Sequence, residues 1–145
     1  MYNKIIVATD GSDIATKAAK HAAALAKSLG SELAAVTVTE PYENIAFTEN
    51  MTVVDPSDYK QSCEEHAKKV LSSAVAGASG EGVSMTTFHK DNHWPYDGVI
   101  KAAEEFGADL IVMGSHGRRG LEGLLLGSEA TKLLTHTKIP TLVVR

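Results

Sequence analysis

Apolar residues in this chain fall into short runs, separated by longer stretches in which they recur every three or four positions. The first run, Ile5-Ile6-Val7-Ala8, is too short for a helix and continuous enough for a strand buried on both faces. Thr9 to Ser12 breaks it. From Asp13 to Leu29, residues Ala15, Ala18, Ala19, Ala22, Leu25, Ala26 and Leu29 keep helical spacing. Ser12 or Asp13 can cap this helix and Gly30 can end it. Leu33 to Val38 reads as a second strand, and Pro41 to Pro56 as irregular. Ser57 then opens a long helix with Cys63, Ala67, Val70, Leu71 and Ala74 on one stripe. Gly77 to Gly82 is expected to break that helix, and Val83 to Phe88 alternates like a third strand. Pro95 suits a first helical turn. Val99, Ile100, Ala103 and Phe106 continue that helix, and Gly107 closes it. Leu110 to Met113 is the fourth strand. A last helix starts near Gly127 or Ser128 and carries Ala130, Leu133 and Leu134. Pro140 introduces a fifth strand, Thr141 to Val144. Strand-helix alternation of this kind implies a parallel sheet with helices on both faces.

Composition narrows the function classes. The 145 residues amount to one domain, with no linker, internal repeat or low-complexity tract to divide them. A net charge of −4 argues against a nucleic-acid binder that works through a broad basic face. No run approaches the ~18 apolar residues of a membrane span, and the start of the chain has no secretory pattern. A single cysteine cannot form an internal disulfide, which fits a reducing cytoplasm.

The densest chemical signal lies after the fourth strand. Gly114, Gly117, Gly120, Gly123 and Gly127 place five glycines in fourteen residues between a strand and a helix. In open parallel sheets, ligands sit beyond the carboxyl ends of the strands, where strand order reverses. Backbone N–H groups at a helix N-terminus, with no Cβ in the way, favour an anion such as phosphate. Ser128 adds a hydroxyl that can cap the helix or bond a phosphate oxygen. The spacing is neither a Walker A loop nor a dinucleotide-binding turn. On this ground alone, glycines that serve only turns and caps remain an alternative.

Gly114, Gly117, Gly127 and Ser128 stand in the order glycine, two residues, glycine, nine residues, glycine-serine. This spacing resembles the phosphate-binding motif of the ATP-binding branch of the universal stress proteins. The likeness extends over the whole chain, through "KIIVATDGSD" (Lys4 to Asp13), "VTVTEP" (Val36 to Pro41) and "IPTLVVR" (Ile139 to Arg145). It implies a Rossmann-like, five-stranded parallel sheet of order 3-2-1-4-5, with ATP, alone or with Mg²⁺, across the tips of strands 1 and 4. The implied site comprises Ala8, Thr9, Asp10, Val38, Met113, Gly114, His116, Gly117, Arg118, Gly127, Ser128 and Glu129. Within it, Asp10 matches an acidic position near the ribose and phosphates, and Val38 a position that meets adenine.

Two positions depart from the family pattern. His93-Trp94-Pro95 stands where members often carry Gly-x-Pro. Glu129 follows the Gly-Ser pair, where an apolar residue is common. Its carboxylate either points at the phosphates and weakens anion binding, or faces solvent in the first helical turn.

The remaining polar residues invite plainer readings. His116 and Arg118 could touch phosphate, or could be exposed loop residues. His21, His66 and His136 read as helix-surface residues, and Cys63 as a packed thiol. Trp94 could stack on a base or cover the sheet beside Pro95. A nucleotide hydrolase needs a group that positions water beside the phosphate, and Asp10 and His116 are the candidates. The expected function is therefore an ATP-binding stress-response module. The alternatives are a slow ATPase or self-phosphorylating protein using Ser128 or a loop hydroxyl, and a structural dimer with a vestigial pocket. The fifth strand, apolar on both faces and at a sheet edge, is expected to pair with a second copy into a homodimer.

Overall fold

Ile5, Ile6 and Val7 form the middle of strand β1 (Lys4–Ala8), and none of the three has exposed surface. The protein is described by a computed structural model over residues 1–43, 55–117 and 126–145. Strand β1 is followed by helix α1 (Asp13–Leu29), β2 (Glu32–Thr39), α2 (Pro56–Gly80) and β3 (Met85–Asp91). Then come α3 (Pro95–Phe106), β4 (Leu110–Gly114), α4 (Ser128–His136) and β5 (Thr141–Val144). All strand pairs are parallel, and the order is β3-β2-β1-β4-β5, as the family resemblance implied.

The two faces of the sheet are covered by different helices. Ile5, Val7, Leu33, Ala35 and Val112 face α1 and α2, where they pack on Ala18, Ala22, Ala26 and Leu71. Ile6, Ala34, Val36 and Ile111 face the other way, onto Val99, Ala102 and Ala103 of α3 and Leu133 of α4. The alternation follows from the two-residue period of a strand. Every buried residue of α1 is alanine, which lets that helix lie close against the sheet. Of the stripe expected on α1, Leu29 is instead exposed, and Ala23 takes a buried place.

Caps fix the helix ends. Ser12 is the N-cap of α1, its Oγ accepting the Ala15 N–H at 3.3 Å, and Gly30 closes the helix in the left-handed region at φ 68°. Gly107 closes α3 in the same way at φ 75°. Helix α2 starts earlier than the expected Ser57: Asp55 caps it and Pro56 fills its first turn. It runs on through Gly77 to Gly80, so the break expected across Gly77 to Gly82 falls at the far end of that stretch, where Gly82 takes the left-handed region at φ 77°. Glycine without a positive φ weakens a helix but does not end it. The end comes where the N–H groups of Gly82 and Val83 return to Ser79 and Ala78. That bond occupies Val83, so β3 begins at Met85 rather than at Val83. It continues to Asp91 because β2 offers partners as far as Thr39.

At the opposite edge of the strand ends, Asp109 holds the start of the chain. Its carboxylate accepts the N–H groups of Asn3 at 2.9 Å and of Lys4 at 2.9 Å. Desolvation pushes this carboxyl up. The N–H donors of Asn3, Lys4 and Asp109 itself, with the amino terminus, outweigh it and hold the group below its usual 3.8. A depressed carboxyl stabilises the fold above its unfolded value and loses that contribution as pH falls through the native value. We therefore expect Asp109→Asn to cost about 0.5–1 kcal/mol at neutral pH, a small figure because the group is largely solvated. Urea unfolding at stepped pH should show the difference between variant and parent shrinking below about pH 4. A difference that stays constant down to pH 2 would contradict this role.

Candidate functional site

Strand order reverses at β1 and β4, and the chain leaves their carboxyl ends in two loops that meet. After β1, the Thr9 N–H donates to the Val36 carbonyl at 2.9 Å, extending the strand's contact with β2. The Asp10 carboxylate accepts the Ser12 N–H at 2.9 Å, a turn that holds its head at the strand tip. After β4, the Ser115 N–H donates to the Val144 carbonyl at 2.8 Å, and its buried hydroxyl lies 3.2 Å from His116 Nδ1. The loops touch at Gly117, where an added Cβ would lie 2.9 Å from Asp10 Oδ2.

Helix α4 is fastened to this junction by its N-cap. The Gly127 N–H donates to the Ser115 carbonyl at 2.6 Å. A Cβ on Gly127 would sit 3.0 Å from that oxygen and 3.1 Å from His116 Cα. Gly127 has an ordinary extended backbone at φ −71°, so close approach of two backbones is what demands glycine here. Its own N–H is thus engaged within the protein. The donors left to meet an anion are those of the first turn of α4, beginning at Ser128, where no side chain caps the helix. Ser128 itself is exposed.

The structure brings most of the expected site residues to this junction. Ala8, Thr9 and Asp10 end β1; Met113 and Gly114 end β4; His116, Gly117, Gly127 and Ser128 follow. Gly114 lies tight under α1, where a Cβ would come within 3.0 Å of Ile14. Arg118 lies outside the described residues.

Glu129 takes neither of the two arrangements its sequence suggested. Its Oε2 accepts the Tyr96 N–H at 3.0 Å, and its Oε1 pairs with Lys132 at 3.2 Å. The carboxylate therefore caps the first turn of α3, where Trp94 offers no side-chain cap, and lies against the neighbouring helix. Val38 is similarly engaged. Its two methyls occupy the space next to Gly98 of α3, 2.7 Å from where a Cβ would stand. Trp94 is 48% exposed, with Lys132 Nζ 5.7 Å from its ring. Cys63 is half-buried on α2, and burial pushes its thiol up from the usual value.

Ser115 and Gly98 went unremarked in the sequence, although each shapes the site. Ser115 offered one signal: it is a small polar residue directly after a buried strand, where backbone carbonyls need partners. Gly98 offered a glycine in a first helical turn that no cap requires. Among the described residues, no helix is long and apolar enough to cross a membrane.

The universal stress protein family model matches residues 1–145. Universal stress protein YxiE of Bacillus subtilis is 34% identical over 151 residues, covering 100% of each chain. Universal stress protein MJ0531 of Methanocaldococcus jannaschii is 33% identical over 147 residues, covering 100% of this chain and 83% of that protein. Among solved structures, that of MJ0577 from the same organism matches with a TM-score of 0.82 at 29% identity, over 99% of this chain and 96% of that one.

The tight approach at Gly127 has a direct consequence. Its neighbours are backbone atoms that cannot rotate aside, so Gly127→Ala should lower stability by about 1–3 kcal/mol, as overpacking does. Thermal and urea unfolding would measure the loss. A fully stable alanine variant would show that the two backbones are not held together as described.

Proposed function

The chain belongs to the universal stress protein family, and from that premise we propose that it is a cytoplasmic ATP-binding dimer acting as a stress-response module. The observation that carries the reading is the folded form of the glycine motif. Gly117 lies against Asp10, Gly127 docks on Ser115, and the uncapped start of α4 stands beside both. Glycine at 117 and 127 keeps that junction free of side chains, and the first turn of α4 supplies N–H donors and a positive dipole end for phosphate oxygens. The Ser128 hydroxyl adds a donor. Asp10 is placed to accept from ribose hydroxyls or to hold a phosphate-bound Mg²⁺. Ala8, Thr9, Met113, Gly114 and His116 complete the proposed site at the ends of β1 and β4. Val38, near the end of β2 and packed on Gly98, is the residue proposed to meet the base, and the Glu129 carboxylate is turned away onto Tyr96.

Calorimetry with and without Mg²⁺ tests the pocket. Asp10→Ala should weaken ATP binding by about 1–3 kcal/mol, the worth of a hydrogen bond to a charged group. Gly127→Val should abolish binding while the sheet remains folded. Parent-like affinity in folded variants of both residues would place the nucleotide elsewhere. Phosphate release measured on the same samples separates a binding module from a slow ATPase.

The proposed dimer rests on β5, which pairs with β4 on one side only among the described residues and leaves Leu142 39% exposed. An isologous antiparallel contact between two such edges would cover both at once. Val143→Lys should dissociate it by setting like charges near each other across the two-fold axis. Sedimentation of the parent as a monomer at micromolar concentration would refute the assembly, as would a dimer indifferent to that substitution.

A further inference from the structure

We propose that the groove between α1 and α2 binds an amphipathic anion: a carboxylate or phosphate head on an unbranched apolar chain. The groove has a volume of about 390 Å³, which is within the ~300–1,000 Å³ of small-molecule sites. Its floor is apolar, formed by Ala19 of α1 and by Val70, Ala74 and Ala78 of α2. Its rim carries a lysine on each wall, Lys20 on one helix and Lys69 on the other, with His66 beside Lys69. No Asp or Glu lines it, although the chain as a whole carries a net charge of −4. Among the described residues, Lys20 and Lys69 make no ion pair. Cations that neutralise nothing within the fold, above an apolar floor, match a ligand that carries both an anion and a hydrocarbon.

Two further observations point into the same space. Thr9 lines the upper end of the groove and is only 8% exposed. Its Oγ1 accepts the Gly11 N–H at 3.3 Å, but among the described residues its own proton has no acceptor. A buried hydroxyl with an unused proton favours an incoming acceptor such as a carboxylate or phosphate oxygen. At the other end stands Gly77, in the interior of α2. Glycine there lowers helix stability relative to alanine. No positive φ requires it, and a Cβ would meet nothing within 4 Å. What glycine does at 77 is leave the groove open. The head group therefore sits by Thr9 beneath the cations, and the chain lies over Val70 and Ala74 toward Gly77.

The test is a titration of the full chain with octanoate, octyl phosphate, octanol and inorganic phosphate, followed by amide NMR. One or both amphiphiles should bind saturably and shift the amides of Val70, Ala74 and Gly77, and the tighter of the two identifies the head. Octanol and inorganic phosphate should bind at least ~10-fold more weakly, since each lacks one half of the chemistry. Lys20→Glu combined with Lys69→Glu should weaken the amphiphile at least ~10-fold and leave ATP affinity unchanged. Gly77→Leu should abolish binding by filling the groove, with Gly77→Ala and circular dichroism checking that α2 remains intact. If Gly77→Leu does not fold, the double charge reversal decides. The proposal is overturned if neither amphiphile binds saturably, or if octanol or inorganic phosphate binds as tightly. Unchanged affinity after charge reversal would also sink it. Equal loss of ATP and amphiphile in that variant would make the groove an arm of the nucleotide pocket instead.

Discussion

Strand β1 has water on neither face, and the rest of the architecture answers to that constraint. A central strand made of Ile5, Ile6 and Val7 must be covered above and below. With right-handed crossovers, the connections cover both faces only if the direction in which strands are added reverses once, from leftward after β1 to rightward after β3. Helices α1 and α2 therefore take one face, and α3 and α4 the other. The connections diverge where β1 meets β4, and the divergence leaves a crevice at the carboxyl ends of those two strands. The position of the candidate site is thus a by-product of burying the middle of the sheet.

What fills that crevice is decided at shorter range. The loops after β1 and β4 approach closely at two glycines: Gly117 lies against the Asp10 carboxylate, and Gly127 lies against the backbone of Ser115 and His116, where an added Cβ would crowd its neighbours. Closeness brings polar order with it. Ser115 receives the N–H of the helix that follows and gives its own to β5, so the loop hangs between two elements rather than floating free. Glu129 extends the same economy to α3, serving as the cap that Trp94 lacks. A residue that departs from the family's usual apolar choice is thereby explained by helix capping.

Much of this was legible in the sequence, for identifiable reasons. The hydrophobic period marked every strand and helix of the sheet, because a face turned to water and a face turned to the core differ in composition residue by residue. Ser12, Gly30, Gly107 and Pro95 announced their helix ends because each acts through its own backbone or its nearest neighbours. The failures share a different cause. The glycines from 77 to 82 marked where the helix stops but not at which of them, because that depends on the left-handed backbone of Gly82 and the hydrogen bonds that it and Val83 return to the helix. Strand β3 was misplaced by two residues at its start and three at its end because its length is set by β2, a partner distant in sequence. The packing of Val38 on Gly98, and the turning of Glu129 onto Tyr96, join different elements. No local pattern encodes such pairings.

Ser115 sits at the joint of a short chain of bonds: Val144 carbonyl to Ser115 N–H, then Ser115 carbonyl to Gly127 N–H. Mechanically, these are two links in series, whereas the ladder between β4 and β5 shares its load in parallel. Compliances add in series, so this link is softer than either of its bonds. Val144 is itself buried in the core, so the core holds the strand end from which the two bonds run. The position of the first turn of α4 is thereby tied to the end of the last strand through the two backbone groups of Ser115.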